Sequence, residues 1–213
     1  MASQNDSSSR RQHIGFETDS RRVEWRAQAL LTLREVLEWR YEDLSDHGRA
    51  VGEYCALIGE ELDLGEETIE ALRWAGALHD IGKATLEEAI LRKPAPLSEA
   101  EWRQVRRHPA TGADLLLMSN LDEIALWVLA HHERPDGAGY PHGISGTDIP
   151  LPARILAVAD AYDAMRTERV YKSALSHAEA AAELRRLAGE QFDPEVVEAL
   201  LGALERLAIE AAV

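Results

Sequence analysis

The chain has 213 residues, 46% of them hydrophobic and 29% charged, with a formal net charge of −15. That length suits one domain able to bury roughly 70% of its unfolded surface, and the acidic balance excludes broad binding to a nucleic-acid polymer or an anionic membrane, which require clustered lysine and arginine. The single cysteine, Cys55, excludes an internal disulfide; with no apolar signal core or membrane-length run in the sequence, a cytoplasmic setting is expected.

Residues 1–20 are polar, lack an apolar period and are expected to form a disordered arm, which leaves 21–213 as the folded domain. From about Arg21, Val23, Ala27, Leu30, Leu37 and Tyr41 fall on one face of a packing helix. In the next helix His47, Val51, Tyr54, Ile58 and Leu62 share a stripe, so His47 points inward at its end. Asp43 precedes it by one turn, and the i, i+4 spacing brings both side chains within reach of one ion. Cys55 lies beside this stripe and reads as core.

After Gly65 a further stripe, Ile69, Leu72, Gly76 and His79, ends in a histidine followed directly by Asp80. Burying an acid beside an imidazole costs several kcal/mol unless a cation or hydrogen bonds compensate. Lys83, one turn on, is placed to meet a phosphate or a leaving oxygen. Ser98 and Glu101 form a capping box for a helix running through Trp102 and Val105 to His108, where Pro109 can start another. Arg106 and Arg107 read as a solvated face.

Leu121, Ile124, Val128 and His131 repeat the spacing seen before His79, and His132 lies about 100° further round the helix. The segment from Glu133 to Pro152 is punctuated by glycine and proline, and a connection this long is usually functional. Tyr140 within it can stack on a base or anchor the loop; Glu133 and Asp136 can equally serve as turn residues. A helix from Ala153 to about Arg166 carries Asp160 and Asp163 among apolar neighbours. Ser176 with Glu179 caps another helix, Asp193-Pro194 starts the last, and His142 and His177, off any apolar stripe, are expected at the surface.

Five histidines thus end or border helices: His47, His79, His108, His131 and His132. With Asp43, Asp80 and Asp160 they make a mixed nitrogen and oxygen donor set for two or three divalent ions, with iron or manganese preferred because no thiolate is near. Two ions sharing a carboxylate, for which Asp80 is the candidate, can activate water and clamp attacking and leaving oxygens at phosphorus. The chemistry expected is phosphoester hydrolysis.

These residues resemble the HD-GYP subgroup of the HD metal-dependent phosphohydrolases over about Asp43 to Leu200. His79-Asp80-Ile81-Gly82-Lys83 matches the HD motif, and His131-His132-Glu133 through Asp136-Gly137 to Gly139-Tyr140-Pro141 matches the subgroup signature. Arg154 to Ala164 and Phe192-Asp193-Pro194 match its C-terminal half. The resemblance implies an all-α, single helical HD-type domain with a multinuclear metal centre between core helices, hydrolysing cyclic di-GMP to pGpG or onward to GMP. It implies that His47, His79, Asp80 and Asp160 are the shared ligands, that His108, His131 and His132 extend the centre, and that Asp43 serves a third ion, although it is shorter than the glutamate of that position. Arg169 and Lys172 resemble the phosphate-contacting pair, with Lys83 and Tyr140 as further substrate contacts. Ala50 and Val170 depart from the family's arginine and proline without touching an expected ligand. Cyclic di-GMP is the expected partner; other signalling proteins and a second copy of the chain stay open, as do a non-catalytic receptor and a hydrolase of another nucleotide.

Overall fold

The apolar stripes become helices throughout the computed structural model, which describes residues 13–40, 42–168 and 173–210, with side chains from 25–38, 45–168 and 173–210. Ten α-helices are present among the described residues: α1 (His13–Arg40), α2 (Glu42–Glu61), α3 (Glu66–Leu78), α4 (Glu88–Leu91), α5 (Glu99–Val105), α6 (His108–Met118), α7 (Asp122–Ala130), α8 (Leu151–Arg166), α9 (His177–Arg186) and α10 (Pro194–Glu210). Short 3-10 turns cover Ile81–Thr85 and Gly146–Asp148, and the one strand-like pairing described is an isolated bridge between Ala188 and Phe192. The architecture is all-helical. No described helix is long and apolar enough to cross a membrane.

Helix α1 begins at His13, ahead of the start that the apolar period marks near Arg21. Both capping boxes form: the amide of Glu101 donates to the Ser98 hydroxyl, that of Glu179 to the Ser176 hydroxyl, and each glutamate accepts from its serine amide in return. Helix α8 starts at Leu151, two residues earlier than expected, because Pro152 is tolerated in the first turn where no intrahelical donor is needed.

Helices α2 and α3 form the central pair, with α8 packed across them, α10 against α2 and α8, and α6 and α7 closing the far side. Small residues set how near α2 and α3 approach. A Cβ on Gly76 would lie 2.4 Å from the backbone of Gly52, so only glycine lets the two backbones touch there. That contact fixes the height at which His47 and His79 meet. Around it Ile58, Leu72, Leu78, Ile124, Ile155 and Leu156 are fully buried, each contributing about 1.5–3 kcal/mol by removal from water. Cys55 is buried among them, and burial pushes its thiol well above its ordinary range, so it is an inert core residue.

Candidate metal centre

The histidines gather where helices end. His79 follows the last residue of α3, His108 opens α6, and His131 and His132 follow α7, so one end of the bundle receives them all. His79, His108 and His131 share a device. Nδ1 of each donates to the carbonyl three residues back, to Gly76 at 2.7 Å, Val105 at 2.8 Å and Val128 at 2.6 Å. A carbonyl can only accept, so the proton sits on Nδ1 and the lone pair of Nε2 is turned into the cluster. His108 thus bonds the last carbonyl of α5 while starting α6.

Two sets of potential ligands result: His47, His79 and Asp80, and His108, His131 and His132, with the donor atoms of each set within 4.8 Å of one another. Asp80 lies between the sets. Its Oδ2 is 3.5 Å from Nε2 of His79, and its Oδ1 is 3.3 Å from Nε2 of His108. The His79 and His131 rings are 5.4 Å apart, so the two sets form one continuous centre. Gly82 makes the junction possible: a Cβ there would fall 2.0 Å from the carbonyl oxygen of His108, and its absence lets the 3-10 turn after Asp80 press directly onto α6.

The donor chemistry fits divalent cations. Nε2 of His108 and Nε2 of His131 lie 3.4 Å apart with both lone pairs facing, a pairing that no hydrogen bond between them can satisfy. Oδ1 of Asp80 is buried without a hydrogen-bond partner. An orphaned carboxylate oxygen beside two inward lone pairs is what a bound cation would resolve.

The protonation behaviour of the two sets differs. Burial works against charge on His47, but hydrogen bonds to Oδ1 of Asp160 at 3.0 Å and Oδ2 of Asp163 at 2.6 Å, with the charges of Asp160 and Asp80, outweigh it and raise the imidazole to about 9. Burial dominates at His108 and His132, lowering both to about 4 against the attraction of nearby carboxylates, and burial with the charges of neighbouring histidines likewise holds His131 well below its ordinary value. Asp80 is held well below the usual carboxylate range: burial opposes its charge, and Lys83, His79 and His108 overcome that. Asp160 is likewise depressed, with burial again opposed by its bond to His47. Lys83 donates to Oδ2 of Asp80 at 2.6 Å, so its first contact is the aspartate rather than open solvent.

Asp160 lies beside His47 and 3.8 Å from Nε2 of His79. The expected residues Asp43, Arg169 and Lys172 fall outside the described side chains, although Asp43 lies within α2. Asp163 was visible in the sequence only as an acidic neighbour of Asp160. In the structure it is buried and grips Nδ1 of His47, the far nitrogen from the cluster, and its placement among Ala159, Tyr162 and Ala164 was the available signal.

The loop after α7 is ordered around a residue read from sequence as a turn former. Glu133 is 3% exposed; its Oε1 accepts the amides of His142 at 2.7 Å and Gly143 at 3.2 Å, while its Oε2 is buried without a partner. The amide of Tyr140 donates to the His132 carbonyl at 3.1 Å, and its ring stacks 4.8 Å from that of His132. The guanidinium of Arg106 lies 5.6 Å over the same ring, so Arg106 does not stand on a purely solvated face. His142 is exposed as expected, but His177 is half-buried because Nδ1 meets the Tyr162 hydroxyl at 2.9 Å. Arg154 of α8 pairs with Asp193, whose Oδ1 caps α10 through the amide of Glu195, tying the last helix to the wall of the centre.

Residues 32–196 match the model of the HD domain family. Over 177 residues the chain is 41% identical to the cyclic di-GMP phosphodiesterase response regulator RpfG of Xanthomonas campestris, an alignment covering 82% of this chain and 47% of that protein. A cyclic di-GMP phosphodiesterase of Thermotoga maritima is 37% identical over 177 residues, with 82% and 48% covered. The chain thus spans about half the length of these curated relatives. Among solved structures, the HDGYP protein Bd1817 of Bdellovibrio bacteriovorus aligns with a TM-score of 0.62 at 20% identity over 76% of this chain and 52% of that one, a likeness of fold.

Proposed function

The chain belongs to the HD domain family, and we propose that its helical domain is a metal-dependent phosphodiesterase that hydrolyses cyclic di-GMP to pGpG or onward to GMP. The observation that carries this reading is the position of Asp80, whose two oxygens face Nε2 of His79 and Nε2 of His108 in separate ligand sets. Residues His47, His79, Asp80 and Asp160 would hold one divalent ion and His108, His131 and His132, with Asp80 shared, a second; Asp43 is assigned to a third. Iron or manganese suits this donor set, which offers imidazole and carboxylate but no thiolate. Bound there, such ions supply Lewis acidity toward a phosphodiester and activate water for in-line attack.

The protein's own groups supply the rest. Attack at phosphorus breaks the P–O3′ bond, and the leaving oxygen needs a proton. Lys83 is the candidate donor: its ammonium has three N–H groups, one is committed to Asp80, and its side chain is still partly exposed. Tyr140, stacked on His132, offers a ring at the edge of the centre for a purine. Its hydroxyl stays protonated, since burial and the Asp80 charge push it above its ordinary range. Arg169 and Lys172 are assigned to the phosphates on the strength of the sequence resemblance.

The test is chromatography of cyclic di-GMP incubated with anaerobically purified protein and Fe(II) or Mn(II), with cyclic GMP-AMP in parallel. GMP as product supports the full centre with Asp43 engaged, accumulation at pGpG supports two ions, faster loss of cyclic GMP-AMP reassigns the substrate, and no turnover refutes the enzyme reading.

A further inference from the structure

Every lysine and arginine whose side chain is described has an acidic or carbonyl partner, with three exceptions. The guanidinium groups of Arg103, Arg106 and Arg107 have neither a hydrogen bond nor an ion pair among the described residues. In a chain of net charge −15, where carboxylates are abundant, three unpaired guanidiniums clustered at the end of one helix are an electrostatic anomaly. Arg106 and Arg107 immediately precede His108 and Arg103 stands one turn earlier, so these side chains lie on the segment that delivers a ligand candidate to the metal centre.

Arg106 is the one of the three that is anchored. Its guanidinium sits 5.6 Å over Tyr140, and Tyr140 stacks at 4.8 Å on the ligand candidate His132, so a continuous stack runs from the centre out to Arg106. The ring restrains the guanidinium plane without consuming its five N–H donors. A planar fork of free donors, held at the mouth of a site for a phosphodiester, is matched to phosphate oxygens.

Resting on the phosphodiesterase reading, we propose that Arg106 is a substrate-binding residue that takes the non-bridging oxygens of a phosphate of the bound dinucleotide, with Arg103 and Arg107 adding a diffuse attraction for the anion. The contact exists equally in ground and transition state, so it lowers KM and leaves kcat alone.

The experiment is steady-state hydrolysis of cyclic di-GMP at low and high salt by metal-loaded wild type, Arg106→Gln, Arg106→Lys and Arg92→Gln, with metal content measured on each. Arg92 pairs with Glu88 on an exposed surface and serves as the control. Arg106→Gln should raise KM about tenfold, as expected for a lost charged hydrogen bond, with kcat within about twofold, unchanged metal content and a flatter salt dependence. Arg106→Lys should recover most of the salt dependence, since it restores the charge. A wild-type KM in Arg106→Gln overturns the proposal, and so does loss of metal from that variant, which would mark a structural role. An inactive wild type would instead refute the phosphodiesterase reading. Arg106 is then judged by the affinity of inorganic phosphate for metal-loaded wild type and Arg106→Gln, where equal dissociation constants overturn it.

Discussion

The two halves of the centre are built from the same side chain and behave in opposite ways. His47 is clasped by two carboxylates and holds a proton to about pH 9, whereas His108 and His132, packed against other imidazoles, reject one down to about pH 4. At neutral pH a cation entering the all-imidazole half meets ready lone pairs; one entering the carboxylate half must first displace a proton. Environment, rather than residue type, decides which half is primed. Asp80 faces a histidine of each half, His79 and His108, so it is where the contrast can be broken.

The largest effect is therefore expected from Asp80→Ala: bound metal should fall in both halves and turnover by about 10³-fold or more, with helical circular dichroism retained. Metal analysis together with product chromatography checks it, and full turnover would remove Asp80 from the centre. Next is Gly82→Ala, whose methyl would overlap the His108 backbone. Forcing the halves apart should cost about 1–3 kcal/mol of stability in urea titration and weaken metal binding in both. Asp163→Asn sharpens the comparison by touching one half alone. It should weaken metal binding by about 10–100-fold in isothermal titration with Mn(II), and only in the part of the isotherm that His47→Ala also removes.

Removing metal with chelator exposes the contrast as pH dependence. His108 and His132 are favoured neutral by the fold, so the stability they confer is present above pH 6.5 and is lost as pH falls toward 4. His47 runs the other way: its contribution is complete below pH 6.5 and disappears as pH rises through about 9. Urea midpoints of chelated protein from pH 4 to 10 should thus decline at both ends, and Asp163→Asn should flatten only the alkaline side. The smallest effect is assigned to Ser98→Ala, which removes the cap at the end of α5 opposite His108; it should cost about 1 kcal/mol and leave metal binding unchanged.

Much of this is legible in the sequence alone, and for a physical reason. His47, His79 and His131 end stripes of apolar residues, and a helical stripe reports which way its last side chain points. The capping boxes were equally readable, because their partners are three residues apart. Contacts across the fold were less so. Asp163 meets His47 across more than a hundred residues, and although its apolar neighbours on α8 mark it as inward-facing, nothing in the period of that helix names the imidazole it holds. The role of Glu133 is hidden for a related reason: a glutamate in a segment rich in proline and glycine also suits a turn, and only the folded loop shows two backbone amides converging on it. Arg106 looked solvated because its partner, Tyr140, arrives from a different segment.

The bond from Nδ1 to the carbonyl three residues back has a consequence for how this protein can change over generations. At His79, His108 and His131 one side chain both closes the end of a helix and aims a nitrogen at the centre. Asparagine could meet the first demand and aspartate the second; of the common residues only histidine meets both. Such positions leave a lineage few neutral steps, so drift in metal preference or reactivity is expected to pass through neighbours such as Asp163, which acts on the centre only through His47.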